Sequence, residues 1–313
     1  MKLIVAFLRL TRSMNLIFIA LTQVLFHYFI VWPIFHDAGA AVPVNGVNFF
    51  LLVFSSVLIA AAGYIINDYF DLNIDRINKP DKLVVEKVIR RRWAIIWHWI
   101  LSLAGLAIGI YLSFSTGIFW IAIAHFCCIV ALWFYSTTFK KKLLTGNILI
   151  SLLTAWVVLV IGFADHYRIM AELQQYGGVD RSKLLRFTFL YAGFAFIISI
   201  VREVVKDIED MEGDARFGCK TMPISWGIMV SKVFAGTWLV VLLATIIIVF
   251  VYMLQLQWWI ASLYCLLLIA IPVVLILRRL SRATLPADYH RISNMLKFVM
   301  FTGILSMIFL IVH

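Results

Sequence analysis

Two short stretches of the chain hold closely spaced carboxylates, in a protein with only 16 Asp and Glu residues. Residues 67–75 read Asn-Asp-Tyr-Phe-Asp-Leu-Asn-Ile-Asp, and residues 207–214 read Asp-Ile-Glu-Asp-Met-Glu-Gly-Asp. Oxygen ligands with no His or Cys nearby favour a hard cation, Mg²⁺ or Ca²⁺. Mg²⁺ typically joins a few carboxylates to the phosphates of a substrate. These stretches, the first and second aspartate motifs, therefore predict a Mg²⁺-dependent diphosphate site.

Both motifs share the spacing D-x-x-D-x-x-x-D. Steps of three and four residues place side chains on one face of a helix, so we expect each motif to present its three aspartates together. Neighbouring Lys and Arg side chains would balance the rest of a diphosphate's charge. The motif aspartates are Asp68, Asp71 and Asp75 in the first motif and Asp207, Asp210 and Asp214 in the second.

The elements that position these motifs must lie in a membrane, because hydrophobic residues make up 64% of the 313-residue chain and charged residues only 14%. A soluble domain is about 45–50% apolar, and a chain this apolar cannot cover itself with polar groups. Two soluble domains are therefore excluded. The net charge of +11 would suggest a nucleic-acid partner in a soluble protein. Here the basic residues lie in short loops, and we predict no nucleic-acid partner.

The apolar runs predict an all-α, polytopic membrane protein with nine transmembrane helices, forming a single domain over residues 1–313. A spanning helix needs about 20 apolar residues. Residues 1–12 are expected to lie along the membrane interface as a short amphipathic helix. The two motifs directly follow the second and sixth spans, which puts both on the same side of the membrane. The predicted spans are roughly 14–32, 48–66, 93–112, 118–136, 147–164, 184–202, 230–253, 258–277 and 295–312.

The basic residues predict which side that is. Nearly all of the 27 Lys and Arg residues fall in the amino-terminal segment or in and beside the loops that follow even-numbered spans. Because such loops stay in the cytoplasm, we predict a multi-pass protein of the cytoplasmic (inner) membrane. Its amino terminus and both motifs would lie inside and its carboxyl terminus outside. The basic residues on the other side are Arg168, Arg181, Lys183 and Arg186.

The sequence resembles the UbiA family of intramembrane prenyltransferases. The likeness rests on the N-D-x-x-D-x-x-x-D motif at residues 67–75 and the D-x-x-D-x-x-x-D motif at residues 207–214. It also includes Tyr135-Ser136, followed by lysines and by Gly146-Asn147. Nine helices is the number in that family as well. The resemblance implies a helical bundle around a central cavity that opens laterally to lipid, with the aspartates at its cytoplasmic mouth.

The resemblance also implies roles for individual residues. In such enzymes, Mg²⁺ held by both motifs binds a polyprenyl diphosphate, and the prenyl group passes to a lipophilic acceptor within the membrane lipid. Asn67 would join the six motif aspartates as a metal ligand. Contacts to the diphosphate are expected from Lys140 above all, and from Asn67, Arg76, Lys206 and Tyr135.

The acceptor is less well defined. Many members continue the first motif with an R-P-x-x-S-G-like loop, whereas residues 78–87 here read Asn-Lys-Pro-Asp-Lys-Leu-Val-Val-Glu-Lys. The second motif is more similar to that of members acting on glycerol-phosphate lipids, chlorophyll precursors or homogentisate. We therefore expect transfer of a geranylgeranyl group to a glycerol-phosphate lipid. The alternatives are a quinone- or tocopherol-type aromatic acceptor and an ion transporter with acidic gating clusters.

Two polar residues at the start of the first span are candidates for binding the acceptor. Arg12 and Asn15 lie three residues apart, and polar residues at a helix entrance toward a cavity are often functional. The simpler alternative is that they serve as a topology signal and a helix cap.

Overall fold

A computed structural model describes residues 2–78 and 84–310, and its regular secondary structure is helical. Within these ranges, nine helices are long and apolar enough to cross a membrane. The prediction of an all-α, multi-pass membrane protein is therefore confirmed. Residues 79–83, in the loop that departs from the R-P-x-x-S-G pattern, lie outside the described residues.

The chain begins with the short helix α1 (Lys2–Leu10), and the first six spanning helices follow it. They are α2 (Ser13–Asp37), α3 (Gly46–Asn78), α4 (Arg91–Thr116), α5 (Trp120–Thr137), α6 (Thr145–Ala171) and α7 (Arg181–Glu209). A two-turn helix and three more spanning helices complete the fold. They are α8 (Met211–Arg216), α9 (Ile228–Gln255), α10 (Trp259–Arg282) and α11 (Pro286–Leu310).

Helix α3 is much longer than the membrane requires. Its 33 residues extend about 50 Å, whereas the hydrocarbon core is about 30 Å thick. The predicted span at residues 48–66 covers only the apolar part. The first aspartate motif therefore lies in the last turns of the helix itself, and the prediction that it follows the helix is wrong.

Two spanning helices contain a π-helical turn just before a proline, which explains why α2 continues beyond the predicted end at residue 32. The turn at His27–Val31 precedes Pro33, and the turn at Leu266–Ala270 precedes Pro272. Proline lacks an N–H, and its ring crowds the carbonyl four residues earlier. The extra residue of a π turn accommodates this crowding within a continuous helix.

The contacts between residues divide the chain into two compact units. The first unit comprises Met1–Lys140 and Val157–Thr188, and the second comprises Lys141–Trp156 and Phe189–His313. The single domain expected from the sequence stays a prediction.

In the first unit, α4 packs closely on α3 and α5 through glycines. A Cβ atom at Gly105 would lie 2.7 Å from the Ile59 side chain, and one at Gly109 would lie 3.0 Å from the His125 ring. The same His125 ring contacts the Ser55 hydroxyl of α3 at 2.7 Å. Small residues let helices approach closely in a membrane. This packing fixes α3, the helix that carries the first motif.

Helix α1 packs on the motif-bearing end of α3. Ala6 and Leu10 are buried in a small core with Ile65 and Leu72. The other face is apolar and exposed, as suits a helix at a membrane interface. The predicted helix is confirmed over Lys2–Leu10, and its interfacial position stays a prediction. The exposed apolar residues of α1 are Leu3, Ile4, Val5 and Leu8.

In the second unit, α7, α9, α10 and α11 share one core. Val201, Leu239, Val273 and Leu296 come from these four helices in turn, and all are fully buried. Gly227, with a φ of 86°, interrupts the helix that starts at Met222, and α9 follows it. The core holds α7, and with it the start of the second motif, against three neighbouring helices.

Candidate active site

The first motif is helical throughout, so its aspartates share one side of α3 as predicted. Asn67 and Asp71 are buried, with 8% and 4% of their surfaces exposed. Asp68 and Asp75 are partly exposed, whereas Asn73, which lies off this face, is exposed. The motif therefore offers its carboxylates from a half-buried face at the end of the helix.

Asn67 and Asp71 form a buried pair one helical turn apart. The amide Nδ2 of Asn67 donates a hydrogen bond of 2.7 Å to Oδ2 of Asp71. This orientation turns the amide oxygen away, and Asn67 Oδ1 is buried with no hydrogen-bond partner. A buried oxygen without a donor costs free energy unless something else binds it.

Lys140, which lies just after the carboxyl end of α5, contacts the same carboxylate of Asp71. It lies on the short 3₁₀ turn Phe139–Lys141, and its Nζ forms an ion pair with Oδ2 of Asp71. Burial is the largest single influence and lowers the pKa of Lys140, but the charge of Asp71, the hydrogen bond to it and the other nearby groups together raise the pKa above its usual range. Tyr135 and Asp75 also interact electrostatically with Lys140. Lys140 is therefore firmly cationic at neutral pH.

Arg12 pairs with the neighbouring aspartate. Its Nη2 donates a hydrogen bond of 2.8 Å to Oδ1 of Asp68, and its guanidinium lies 5.1 Å from the centre of the Tyr64 ring. Burial is the largest single influence and lowers its pKa, but the charge and hydrogen bond of Asp68, together with Tyr64 and Asp71, raise the pKa above its usual range. Arg12 also adopts a left-handed backbone, with φ of 51° and ψ of 55°. This conformation costs a non-glycine residue about 1–2 kcal/mol.

The other candidates of the first unit are less closely placed. Asn15 is partly buried, and its backbone N–H donates to the carbonyl of Arg12. Arg76 is exposed and forms an ion pair with Glu86. The structure thus brings Arg12 and Lys140 to the motif aspartates, while Arg76 points to a different carboxylate.

The second motif differs from the first, although its spacing is the same. Helix α7 ends at Glu209, and Asp210 leaves the helical conformation with φ of −93° and ψ of 5°. Asp214 lies in the separate helix α8. The prediction that the second motif occupies one face of one helix is therefore wrong.

Helix α8 ends in a way that fixes the backbone of Asp214. Gly218 has a φ of 69°, its N–H bonds to the carbonyl of Ala215, and the N–H of Cys219 bonds to the carbonyl of Asp214. This is the Schellman arrangement, which needs a left-handed residue that glycine supplies without strain. Asp214 itself is buried.

Asp207 is held by a residue that the sequence analysis did not select as a site residue. Nδ2 of Asn147, near the start of α6, donates a hydrogen bond of 2.8 Å to Oδ2 of Asp207. Asp207 also interacts electrostatically with Glu203 and Asp214. Gly146-Asn147 was one of the segments that resemble the UbiA family. Nothing in the sequence, however, placed Asn147 beside Asp207, which lies 60 residues further along the chain.

Glu203 is a second residue that sequence reasoning missed. One turn before Asp207, it accepts a hydrogen bond of 3.0 Å from Nη1 of Arg202, and its other oxygen lies 3.6 Å from Nζ of Lys206. The predicted diphosphate contact Lys206 is thus positioned by an acidic neighbour on its own helix. The spacing of three residues between Glu203 and Lys206 was a signal that could have found this pair.

The donors present fit Mg²⁺ shared with a substrate. Across the described ranges, no three His, Cys, Asp or Glu side chains converge closely enough to hold a metal by themselves. Mg²⁺ does not need such a cage, because it usually binds one or two carboxylates, several waters and substrate phosphates. The unpaired Oδ1 of Asn67 beside Asp71 supplies the oxygen donors that such an ion prefers.

Comparisons with known proteins agree with this chemistry. The model of the UbiA prenyltransferase family matches residues 11–305. The chain belongs to the UbiA prenyltransferase family. The predicted resemblance and the interpretation as a prenyltransferase are therefore confirmed.

Relatives of this UbiA-family chain are similar along most of its length. Digeranylgeranylglyceryl phosphate synthase of Methanothermobacter thermautotrophicus is 33% identical over 258 residues, which cover 80% of this chain and 81% of the relative. A solved structure of a digeranylgeranylglyceryl phosphate synthase has a TM-score of 0.62 at 24% identity and covers 98% of this chain and 99% of its own.

A more distant UbiA homologue shares the fold. The structure of the Archaeoglobus fulgidus homologue, bound to DMAPP and Mg²⁺, has a TM-score of 0.55 at 17% identity. It covers 95% of this chain and 98% of its own. At these identities both structures show that the UbiA-family chain has the same fold.

Proposed function

We propose that the protein transfers a geranylgeranyl group from its diphosphate to a glycerol-phosphate lipid within the membrane. The name of the Methanothermobacter thermautotrophicus relative, a digeranylgeranylglyceryl phosphate synthase, supports this acceptor. The observation that carries the donor site is the buried Asn67–Asp71 pair with Lys140 beside it. This arrangement places oxygen atoms that can bind a cation next to an ammonium group that can bind phosphate.

The carboxylates of both motifs serve as Mg²⁺ ligands in this proposal. Asn67 and the first-motif aspartates Asp68, Asp71 and Asp75 act in the first unit, and Asp207, Asp210 and Asp214 act in the second. Bound Mg²⁺ stabilises the negative charge that develops on the leaving diphosphate. The DMAPP- and Mg²⁺-bound homologue supports the choice of ion. Lys140, Lys206, Arg76 and Tyr135 are the proposed contacts to diphosphate oxygens.

Cleavage of the allylic C–O bond places positive charge on carbon; the acceptor oxygen bonds to that carbon, and its proton passes to the departing diphosphate. Lys140 stabilises the leaving group by charge-assisted hydrogen bonds. Ring faces stabilise such a carbon in a site that excludes water. Tyr64, one helical turn before Asp68 on the same face of α3, places a ring on this side of the helix, 5.1 Å from the Arg12 guanidinium.

Arg12 is the proposed contact for the anionic phosphate of the acceptor, with Asn15 as a second donor. A guanidinium suits phosphate because its donors form a planar fork. The hydrogen bond from Arg12 to Asp68 holds that fork next to the first motif. We also propose that this end of the molecule faces the cytoplasm, since the basic loops lie there.

A transfer assay tests the donor site. Purified protein in nanodiscs receives labelled geranylgeranyl diphosphate and Mg²⁺ with a glycerol-phosphate lipid. We expect Asp71→Asn and Asp214→Asn to lose at least about 100-fold in turnover, because a metal ligand contributes several kcal/mol to the transition state. The exposed Asp37→Asn is the matched control and should keep wild-type turnover. Equal turnover by all three variants would disprove the metal assignment.

The acceptor is tested separately with a panel. A glycerol-phosphate lipid, hydroxybenzoate and homogentisate are offered at equal concentration. We expect the glycerol-phosphate lipid to be prenylated fastest. Faster transfer to either aromatic compound would overturn the proposed acceptor but leave the prenyltransferase site intact.

A further inference from the structure

Lys140 contacts a carboxylate that is also a proposed metal ligand. Its Nζ pairs with Oδ2 of Asp71, the same oxygen that receives the hydrogen bond of Asn67. The pair is shielded from water, with 26% of the Lys140 side chain and 5% of the Asp71 side chain exposed. Ion pairs in such surroundings are weakly screened by salt. The contact is therefore a real competitor for anything else that binds Asp71.

An ammonium group and Mg²⁺ cannot share this oxygen at low cost. Both are cations, and at such short range they repel each other strongly where the effective dielectric is below that of water. If Mg²⁺ arrives alone, it must either displace Lys140 or accept the repulsion. A displaced ammonium group in a half-buried position has then lost its direct ion pair with Asp71, which is costly as well.

A diphosphate changes this balance. It brings several anionic oxygens that accept charge-assisted hydrogen bonds. The flexible four-carbon stem of a lysine lets the ammonium group turn from one acceptor to another nearby. When metal and diphosphate arrive together, Lys140 exchanges one anionic partner for another, and Asp71 exchanges one cation for another.

We propose that Lys140 acts as an exchangeable counter-ion that opposes binding of Mg²⁺ alone and favours joint binding of Mg²⁺ and diphosphate. This inference deepens the proposed function and depends on it. Lys140 thereby couples the two ligands, and the coupling is reciprocal: each ligand raises the affinity of the other by the same factor.

The test measures metal binding without substrate. Wild type, Lys140→Met and Lys140→Arg are purified in nanodiscs, and Mn²⁺ is titrated as a spectroscopic probe for Mg²⁺. We expect Lys140→Met to bind Mn²⁺ about 10- to 100-fold more tightly than wild type, the factor expected for losing one charge-assisted bond. Lys140→Arg keeps a competing cation and should stay near wild type.

The second measurement uses geranylgeranyl S-thiolodiphosphate, an unreactive donor analogue, at saturating Mg²⁺. Here Lys140→Met should bind about 10- to 100-fold more weakly, because the ammonium group would contact the diphosphate. Tighter Mn²⁺ binding together with weaker analogue binding distinguishes counter-ion exchange from a disrupted structure, which would weaken the binding of both ligands. Lys141→Met removes the same charge from an exposed neighbour and measures the general electrostatic effect, which should be less than about twofold for a screened surface charge.

Three outcomes would overturn the proposal. The first is that Lys140→Met binds Mn²⁺ no more tightly than wild type, the second that it binds no more tightly than Lys141→Met, and the third that Lys140→Met and wild type both show no detectable Mn²⁺ binding. If wild type also fails to bind the analogue in Mg²⁺, the proposed function fails with it. If wild type binds the analogue and only the Mn²⁺ effect is missing, the exchange alone is wrong. Unfolding of each variant by SDS titration confirms that folded proteins are compared.

Discussion

Each motif has a buried asparagine that donates a hydrogen bond to one of its aspartates, from the same helix in the first motif and from α6 in the second. Asn67 donates to Asp71 and Asn147 donates to Asp207, at 2.7 Å and 2.8 Å. Both asparagines are 8% exposed. Each amide ties down one carboxylate oxygen and so fixes the orientation of the other. Each motif therefore has an aspartate whose carboxylate is oriented before any ligand binds.

The role of Asn147 leads to a prediction about metal dependence. Residues that orient metal ligands typically contribute 10- to 100-fold to metal affinity or activity. We expect Asn147→Ala to require about 10- to 100-fold more Mg²⁺ for half-maximal transfer, with the maximal rate partly restored at high Mg²⁺. Asn294→Ala changes an exposed asparagine of the same unit and should leave the Mg²⁺ dependence unchanged. An unaltered Mg²⁺ profile in Asn147→Ala would refute the positioning role.

Arg12 shows what cannot be found from residue type alone. Its left-handed backbone carries a strain of about 1–2 kcal/mol at the junction between α1 and α2. Strain of this kind persists only where surrounding contacts maintain it. The hydrogen bond to Asp68 and the Tyr64 ring are such contacts. The sequence suggested Arg12 as a site residue but gave no indication of this conformation or of its partner.

At the level of elements, identical spacing produced two different structures. The first motif continues an unbroken helix, whereas the second is divided between α7 and α8 at Asp210. Gly213 lies within α8 and Gly218 follows its end, so neither glycine marks the break at Asp210. Sequence periodicity predicts which residues share a face of a continuous helix. It does not predict that a single residue, here Asp210, leaves the helical conformation.

Helices α6 and α7 pack closely in the first unit, and this contact predicts how a larger side chain at Gly162 would change stability. A Cβ atom at Gly162 would lie 2.5 Å from Cγ2 of Thr188. Thr188 is fully buried and bonded to the Leu184 carbonyl, so it has little room to move. We expect Gly162→Ala to lower the free energy of unfolding by about 1–3 kcal/mol, the usual cost of overpacking. SDS titration in mixed micelles measures this change.

Gly193 provides the matched control, since it is also helical but has no atom within 4 Å of an added Cβ. Gly193→Ala should leave the free energy of unfolding unchanged or raise it by up to about 1 kcal/mol, because alanine favours the helix. Equal stability of the two variants would show that the α6–α7 contact is looser than described.

For the whole molecule, the distribution of basic residues predicts the orientation in the membrane. Loops on the two sides of α5 provide a direct test, because residues 117–119 before the helix contain no Lys or Arg, whereas Lys140, Lys141 and Lys142 follow the helix. We expect green fluorescent protein fused after Lys142 to fluoresce, and alkaline phosphatase fused after Gly117 to be active. The exchanged fusions should be dark and inactive. The reverse pattern would place both motifs outside and overturn the proposed orientation.

The class of protein and the candidate residues could be read from the sequence. Hydrophobic content and the lengths of apolar runs predict nine spans, because lipid imposes a minimum length on every crossing helix. The repeated aspartate spacing identified both motifs, because oxygen ligands for a hard cation are rare in so apolar a chain. These are properties of composition and local spacing, which need no knowledge of contacts.

Only the tertiary structure decided which side chains meet. It paired Lys140 with Asp71, Arg12 with Asp68 and Asn147 with Asp207, partners that lie 56 to 69 residues apart along the chain. It also decided that Arg76 turns to Glu86. Such pairings depend on how helices pack, and packing results from the shapes of many side chains at once. For that reason residue types and spacing could nominate the charged groups but not assign their partners.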